Sequence, residues 1–212
     1  MNILIAGATE NLGRCLVDYL AQHSEHGIYA MIHEEESKQT MGSFNHDRIT
    51  ITTAAAEELC SLLKEIDVVI YAGGCDVKTN DVKMNDSVLR DTKAMINASR
   101  NDVKRFILLS AMGADDPQGP IEDYLYKKRK AEDYLKNTGM EFSIIRTGEL
   151  SSEKPSGKVK LKENINWIED PIISCADVAK VIAASLDSDH ITNKTVELIS
   201  GDTSVEDAIE NI

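Results

Sequence analysis

Short apolar runs alternate with stretches in which apolar residues recur every three or four positions. Asn2 to Ala6 (NILIA) is a brief apolar run ended by Gly7, the pattern of a strand buried on both faces. Leu12, Cys15, Leu16, Tyr19, Leu20 and His23 then recur at helical spacing, and Gly27 breaks the pattern before a second apolar run, Ile28 to Ile32. Strand, helix and strand within about thirty residues make a βαβ unit with a right-handed crossover. Further strands are predicted at Arg48 to Thr52, Asp67 to Tyr71, Phe106 to Leu109, Phe142 to Ile145 and Thr195 to Ile199. Helices are predicted at Glu57 to Lys64, Asp81 to Asn101, Ile121 to Asn137, Cys175 to Leu186 and from Ser204 onward. This repeated alternation predicts an α/β fold, a doubly wound parallel sheet with helices on both faces. The polar, lysine-bearing stretch Ser151 to Asn166 reads as a loop or small hairpin. No linker, repeat or shift in composition divides the chain, so residues 1–212 read as one domain, with a substrate-covering region at about 149–172.

Composition narrows the partners. The 212 residues carry 36 Asp and Glu against 23 Lys and Arg, a formal charge of −13, which repels phosphate backbones and anionic lipid. With no basic patch of useful size, neither nucleic acid nor membrane is expected as a partner. Cys15, Cys60, Cys75 and Cys175 form no CxxC pair, so they predict buried thiols and no metal. The N-terminus has no basic leader or cleavage signature, and no run approaches the length of a membrane span, which points to the cytoplasm.

Candidate chemistry begins between the first strand and its helix, where open α/β sheets bind ligands. The turn reads GATENLGR, Gly7 to Arg14. Gly7 permits a tight bend and Gly13 close helix packing, and the helix N-terminus offers backbone N–H groups and a partial positive charge to a diphosphate. Glycines at a βα turn also arise for geometry alone. In this context the turn resembles that of the short-chain dehydrogenase/reductases, in particular their atypical, NmrA-like and epimerase-like branch, where GATGxxGR is usual. The resemblance implies a Rossmann-type fold and NAD or NADP as cofactor, held by Gly7, Thr9, Glu10, Asn11, Leu12 and Gly13, by the end of the second strand at His33, and by Ala72, Gly73 and Gly74. Glu10 departs from the pattern by replacing a glycine. There its carboxylate opposes a diphosphate by about 1 kcal/mol at partly solvated separation, unless the side chain turns outward to solvent. At His33 relatives that prefer NADP carry arginine, whereas this chain continues Glu34, Glu35, Glu36. That run fits a carboxylate receiving a ribose hydroxyl, as with NAD, or equally a solvated acidic loop.

The family's active site pairs a tyrosine with a lysine four positions later. The helix from Ile121 contains two such pairs, Tyr124 with Lys128 and Tyr126 with Lys130. A shift of two residues rotates a pair by about 200°. Tyr124 and Lys128 share their stripe with Ala131 and Leu135 and are expected to face inward. The stretch KRKAEDYL resembles KxxAExYL of relatives. By this resemblance Tyr124 is the acid or base, Lys128 lowers its pKa and binds the nicotinamide ribose, and Ser110 donates to the substrate carbonyl. Relatives commonly carry a second serine where this chain has Ala111, so Ser110 stands equally as the residue that closes its strand. Arg146, Thr147 and Gly148 resemble the family's RPG, and Ser174 with Asp177 forms a capping box.

Two functions follow. One is a NAD(P)-dependent oxidoreductase or epimerase acting on a small carbonyl or sugar-like substrate, as a monomer or homodimer. The other is a non-catalytic NAD(P)-binding redox sensor or regulatory protein, which Glu10 and Ala111 favour.

Overall fold

The computed structural model describes residues 1–32, 46–53, 56–75, 82–166 and 171–212. Seven parallel strands form its centre: β1 (Asn2–Ala6), β2 (Gly27–Ile32), β3 (Ile49–Thr53), β4 (Val68–Tyr71), β5 (Arg105–Ala111), β6 (Glu141–Thr147) and β10 (Lys194–Ser200). β8 (Lys158–Lys162) joins β10 antiparallel, and the two-residue β11 (Thr203–Ser204) joins β8. The sheet order is β11-β8-β10-β6-β5-β4-β1-β2-β3, while β7 (Glu149–Ser151) and β9 (Ile172–Ser174) form a separate parallel pair.

Alternation along each strand supplies two cores. Ile3 and Ile5 of β1, Val68 and Ile70 of β4, and Ile107 and Leu109 of β5 face one side. They pack there with α1 (Asn11–His23), α5 (Cys175–Leu186) and α6 (Val205–Glu210). Leu4, Ala6, Val69, Tyr71, Phe106 and Leu108 face the other, against α2 (Ala56–Leu63), α3 (Val82–Ser99) and α4 (Glu122–Lys136). Covering both faces explains why these strands are continuous apolar runs. β1 leads outward to β2 on one side and lies against β4 on the other, so the order reverses between β1 and β4. In such sheets that reversal opens a crevice at the carboxyl ends of the strands.

The expected α/β sheet is present, with most element boundaries within one or two residues. The stretch 151–166 is the exception. Its KVKLK segment is strand β8, in which Val159 and Leu161 are buried and Lys158, Lys160 and Lys162 exposed. The lysines that suggest a loop are the solvent face of a strand near the sheet's margin, a period-two pattern rather than a polar run. Among the cysteines, Cys75 and Cys175 are buried, but Cys60 is exposed and Cys15 only half-buried. No helix among the described residues is long and apolar enough to cross a membrane.

Ser174 caps α5 as expected, but the Asp177 carboxylate takes the serine hydroxyl in place of the reciprocal backbone contact of a capping box. The Ser174 hydroxyl oxygen accepts from the Asp177 N–H (3.0 Å) and donates to its carboxylate (2.9 Å). That carboxylate also accepts from the amides of Ser156 and Gly157, at 2.9 and 2.8 Å, and so ties the segment before β8 to the helix. Replacing Ser174 by Ala is expected to destabilise the protein by about 1 kcal/mol, read by urea denaturation. Leu161→Ala is expected to cost about 2–4 kcal/mol and Lys160→Ala less than about 0.5 kcal/mol. A segment lying outside the sheet would show no such contrast.

Candidate active site

β1 ends at Gly7, whose φ of +85° lies in the left-handed region that favours glycine. A Cβ on Gly7 would stand 2.7 Å from the Gly73 nitrogen, and one on Gly13 would overlap the Gly7 carbonyl. The turn after β1 and the turn after β4 therefore lie backbone against backbone, as the two banks of one groove. α1 starts from this groove, and Glu10 at its N-cap gives the first-turn amides no side-chain acceptor. Those amides and the helix dipole are what a diphosphate takes. Leu12 is fully buried in the core and Asn11 is exposed. The Thr9 carbonyl accepts from the Arg14 side chain at 3.0 Å.

Glu10 does not turn away to solvent. Its carboxylate crosses the groove, accepting from the amides of Gly74 (2.8 Å) and Cys75 (3.2 Å) on the opposite bank. Ala72 is pinned in the sheet, its amide donating to the Ala6 carbonyl at 2.9 Å. Gly73 and Gly74 instead present carbonyls to α4, where the inward face carries Tyr124 and Lys128. The Tyr124 hydroxyl donates to the Gly74 carbonyl (3.2 Å), and the Lys128 ammonium donates to the carbonyls of Leu109 (3.3 Å) and Gly73 (3.4 Å). Cys75 Sγ lies 3.9 Å from the same ammonium. Tyr124 is 2% exposed, whereas Tyr126 is 47% exposed on the outer face of the helix.

Burial raises the Tyr124 phenol above its ordinary pKa, with Cys75 and Glu10 adding to the rise, and Lys128 pulls against this without overcoming it. The lysine's expected lowering is thus present but outweighed, and Tyr124 is a neutral phenol at neutral pH. Burial works against the Lys128 charge, but Cys75, Tyr124, Tyr71 and Glu10 more than offset it and hold the lysine above its ordinary value. Lys128 is a buried cation held by carbonyls, thiol and phenol.

Ser110 lies at the same cleft as Tyr124, but its hydroxyl is engaged by another side chain. Its hydroxyl donates to Glu132 at 2.6 Å, and Glu132 in turn takes a two-pronged contact from Arg146 at 3.0 and 2.8 Å. Asp115 and Glu197 reach the same guanidinium at 3.1 and 3.8 Å. Burial disfavours the Arg146 charge, and Glu132, Asp115 and Glu197 more than restore it. The serine's hydrogen is spent inside this network, and β5 runs one residue beyond it, to Ala111.

Tyr124 borders a cleft of about 180 Å³ whose lining also includes Cys75, Ser110, Ala111, Thr147, Gly148, Glu149 and Pro171. Of these, the sequence pointed to Tyr124, Ser110 and the Ala111 replacement; Thr147 and Gly148 were visible only as fold markers. Cys75 carries no motif, and its place follows from the backbone contact of the two turns. Among the described residues of 149–172, Glu149 and Pro171 line this cleft, with Asn164 and Ile165 at a neighbouring one. His33 and Glu34 to Glu36 lie outside the described residues.

Comparison with known proteins agrees with this geometry. A family model described as NAD(P)H-binding matches residues 7–189. A Bacillus subtilis protein carrying the name uncharacterized sugar epimerase YhfK is 28% identical, covering 100% of each chain. A Bacillus halodurans structure named as a NAD-dependent epimerase/dehydratase is 30% identical over 100% of both chains, with a TM-score of 0.88. A Veillonella parvula short-chain dehydrogenase/reductase in complex with NADP shares the fold at 18% identity and a TM-score of 0.77, covering 95% of each. The chain belongs to the NAD(P)H-binding family, with NAD or NADP as its cofactor.

Proposed function

We propose that the protein is a NAD(P)-dependent oxidoreductase that reduces a small carbonyl compound, with Tyr124 as the proton donor. The observation that carries this reading is the neutral Tyr124 hydroxyl at the wall of the cleft, with the buried Lys128 cation behind it. The groove fits a dinucleotide where it can be tested: the positions of Gly7 and Gly13 exclude a side chain, and the first turn of α1 is left uncapped by Glu10. Its diphosphate would rest on the turn from Gly7 through Thr9, Asn11 and Leu12 to Gly13, and Lys128 with the Gly73–Gly74 turn would hold the nicotinamide ribose. The cofactor supplies the hydride.

The chain's own part is proton delivery. As a substrate oxygen gains charge, Tyr124 releases its hydrogen bond to Gly74 and gives its proton to that oxygen. The nearby ammonium steadies the phenolate left behind. Ser110 acts as a positioning residue through Glu132, and Ala111 adds no donor. Residues 1–212 work as one dinucleotide-binding unit, with 149–172 contributing Glu149 and Pro171 to the substrate side.

Reduction is favoured over epimerisation of a nucleotide sugar. Such a substrate brings a second diphosphate, yet none of the described lining residues is lysine or arginine, and Glu149 is among them. A non-catalytic sensor is the second reading, favoured by Ala111 and by the commitment of Ser110 to Glu132.

The test is a panel of small uncharged aldehydes, ketones and quinones with NADH and NADPH, following loss of the reduced nicotinamide's absorbance. Tyr124→Phe is expected to lower kcat by at least about 100-fold while leaving dinucleotide affinity within a factor of about two. Undiminished turnover by this variant removes the mechanism. Binding of a dinucleotide without turnover of any compound supports the sensor.

A further inference from the structure

Glu10 fits neither bland role open to it. It stands at the N-cap of α1, with φ −73° and ψ 163°, yet caps nothing. It is half-buried and does not extend into solvent. Its two carboxylate oxygens instead occupy two consecutive amides across the groove, those of Gly74 and Cys75. A pair of adjacent backbone N–H groups donating to one anion is a strong anion-binding site, and a carboxylate there makes charge-assisted hydrogen bonds.

The other contacts of that turn are already taken from the α4 side. Lys128 donates to the Gly73 carbonyl and Tyr124 to the Gly74 carbonyl, so their donors hold the turn from behind while Glu10 holds its amides from the front. The same close approach of Gly7 to Gly73 that builds the groove leaves the glutamate only a short span to bridge.

We propose that Glu10 is the residue that sets dinucleotide affinity, by acting as an internal anion that holds the Gly74 and Cys75 amides and must let go before a diphosphate settles on the α1 turn. This rests on the dinucleotide-binding reading above and names how that site is controlled. A carboxylate and a diphosphate in one narrow, partly dehydrated groove repel each other. The protein without cofactor is therefore closed by its own side chain, and affinity is set by how readily that side chain leaves. A ligand that gives Glu10 no reason to leave binds only at the substrate cleft.

The experiment uses the full chain as wild type, Glu10→Gly and Glu10→Gln. Each is titrated calorimetrically with NAD, NADH, NADP and NADPH, and exchange of the Gly74 and Cys75 amide hydrogens is followed by NMR without ligand. The proposal expects Glu10→Gly to bind its preferred dinucleotide at least about ten-fold more tightly, about 1.4 kcal/mol, and to exchange both amides faster. Glu10→Gln keeps an acceptor but no charge and is expected to fall between wild type and Glu10→Gly; it decides the matter alone should Glu10→Gly fail to fold. Equal or weaker binding by these variants overturns the proposal even if exchange quickens, because the contact would then not compete with cofactor. Binding by Glu10→Gly where wild type shows none supports it. Failure of all forms with all four dinucleotides at millimolar concentration overturns the dinucleotide reading and this inference with it, whereas equal binding by all forms overturns this inference alone.

Discussion

Two backbone turns touch without a side chain between them, and the rest of the site depends on that contact. Because Gly7 and Gly73 meet at the point where the sheet reverses direction, the ends of β1 and β4 stay adjacent and the groove stays narrow. The next strand is drawn in as well. Lys128 reaches from α4 to the Leu109 carbonyl on β5 and the Gly73 carbonyl after β4, so one ammonium ties two strand ends to one helix. A larger residue at position 7 would part the banks and leave this cation facing carbonyls it could no longer reach, a costly state for a buried charge.

Two buried charged groups flank the end of β5 and differ in kind. Arg146 is matched by Glu132 through two hydrogen bonds and supported by Asp115 and Glu197. It fixes β5, β6 and α4 relative to one another and lies outside the lining of the cleft. Among the described residues, Lys128 meets carbonyls, a thiol and a phenol, with the charge of Glu10 supporting it as well. A fully satisfied pair is an anchor; a cation held by weak acceptors remains available to an incoming hydroxyl or developing charge. The fold thus separates the group that holds the frame from the cation that stands at the candidate site.

Nearly all of the architecture was legible in the sequence because the parallel strands are buried on both faces and so form unbroken apolar runs. The inward setting of Tyr124 over Tyr126 was legible too, since helical rotation alone separates them. β8 was not: at a margin with one wet face, its lysines hid the alternation of Val159 and Leu161. The bridge made by Glu10 was beyond reach, because it joins residues separated by more than sixty positions through backbone amides, which leave no trace in residue type. The commitment of Ser110 to Glu132 was half visible, since Glu132 belongs to the KAE stretch but its partner on β5 is set by register. Cys75 needed the same three-dimensional information.

The lysines of β8 have a consequence at the scale of the molecule's encounters with its own kind. A sheet of nine strands ends in backbone groups that could template another chain, and among the described residues β11 pairs with this margin over just two positions. Charged side chains at positions 158, 160 and 162, each beside a buried neighbour, make stacking a second sheet there a meeting of like charges. The same alternation that seals the interior thereby discourages fibrous growth, and does so without lengthening the chain.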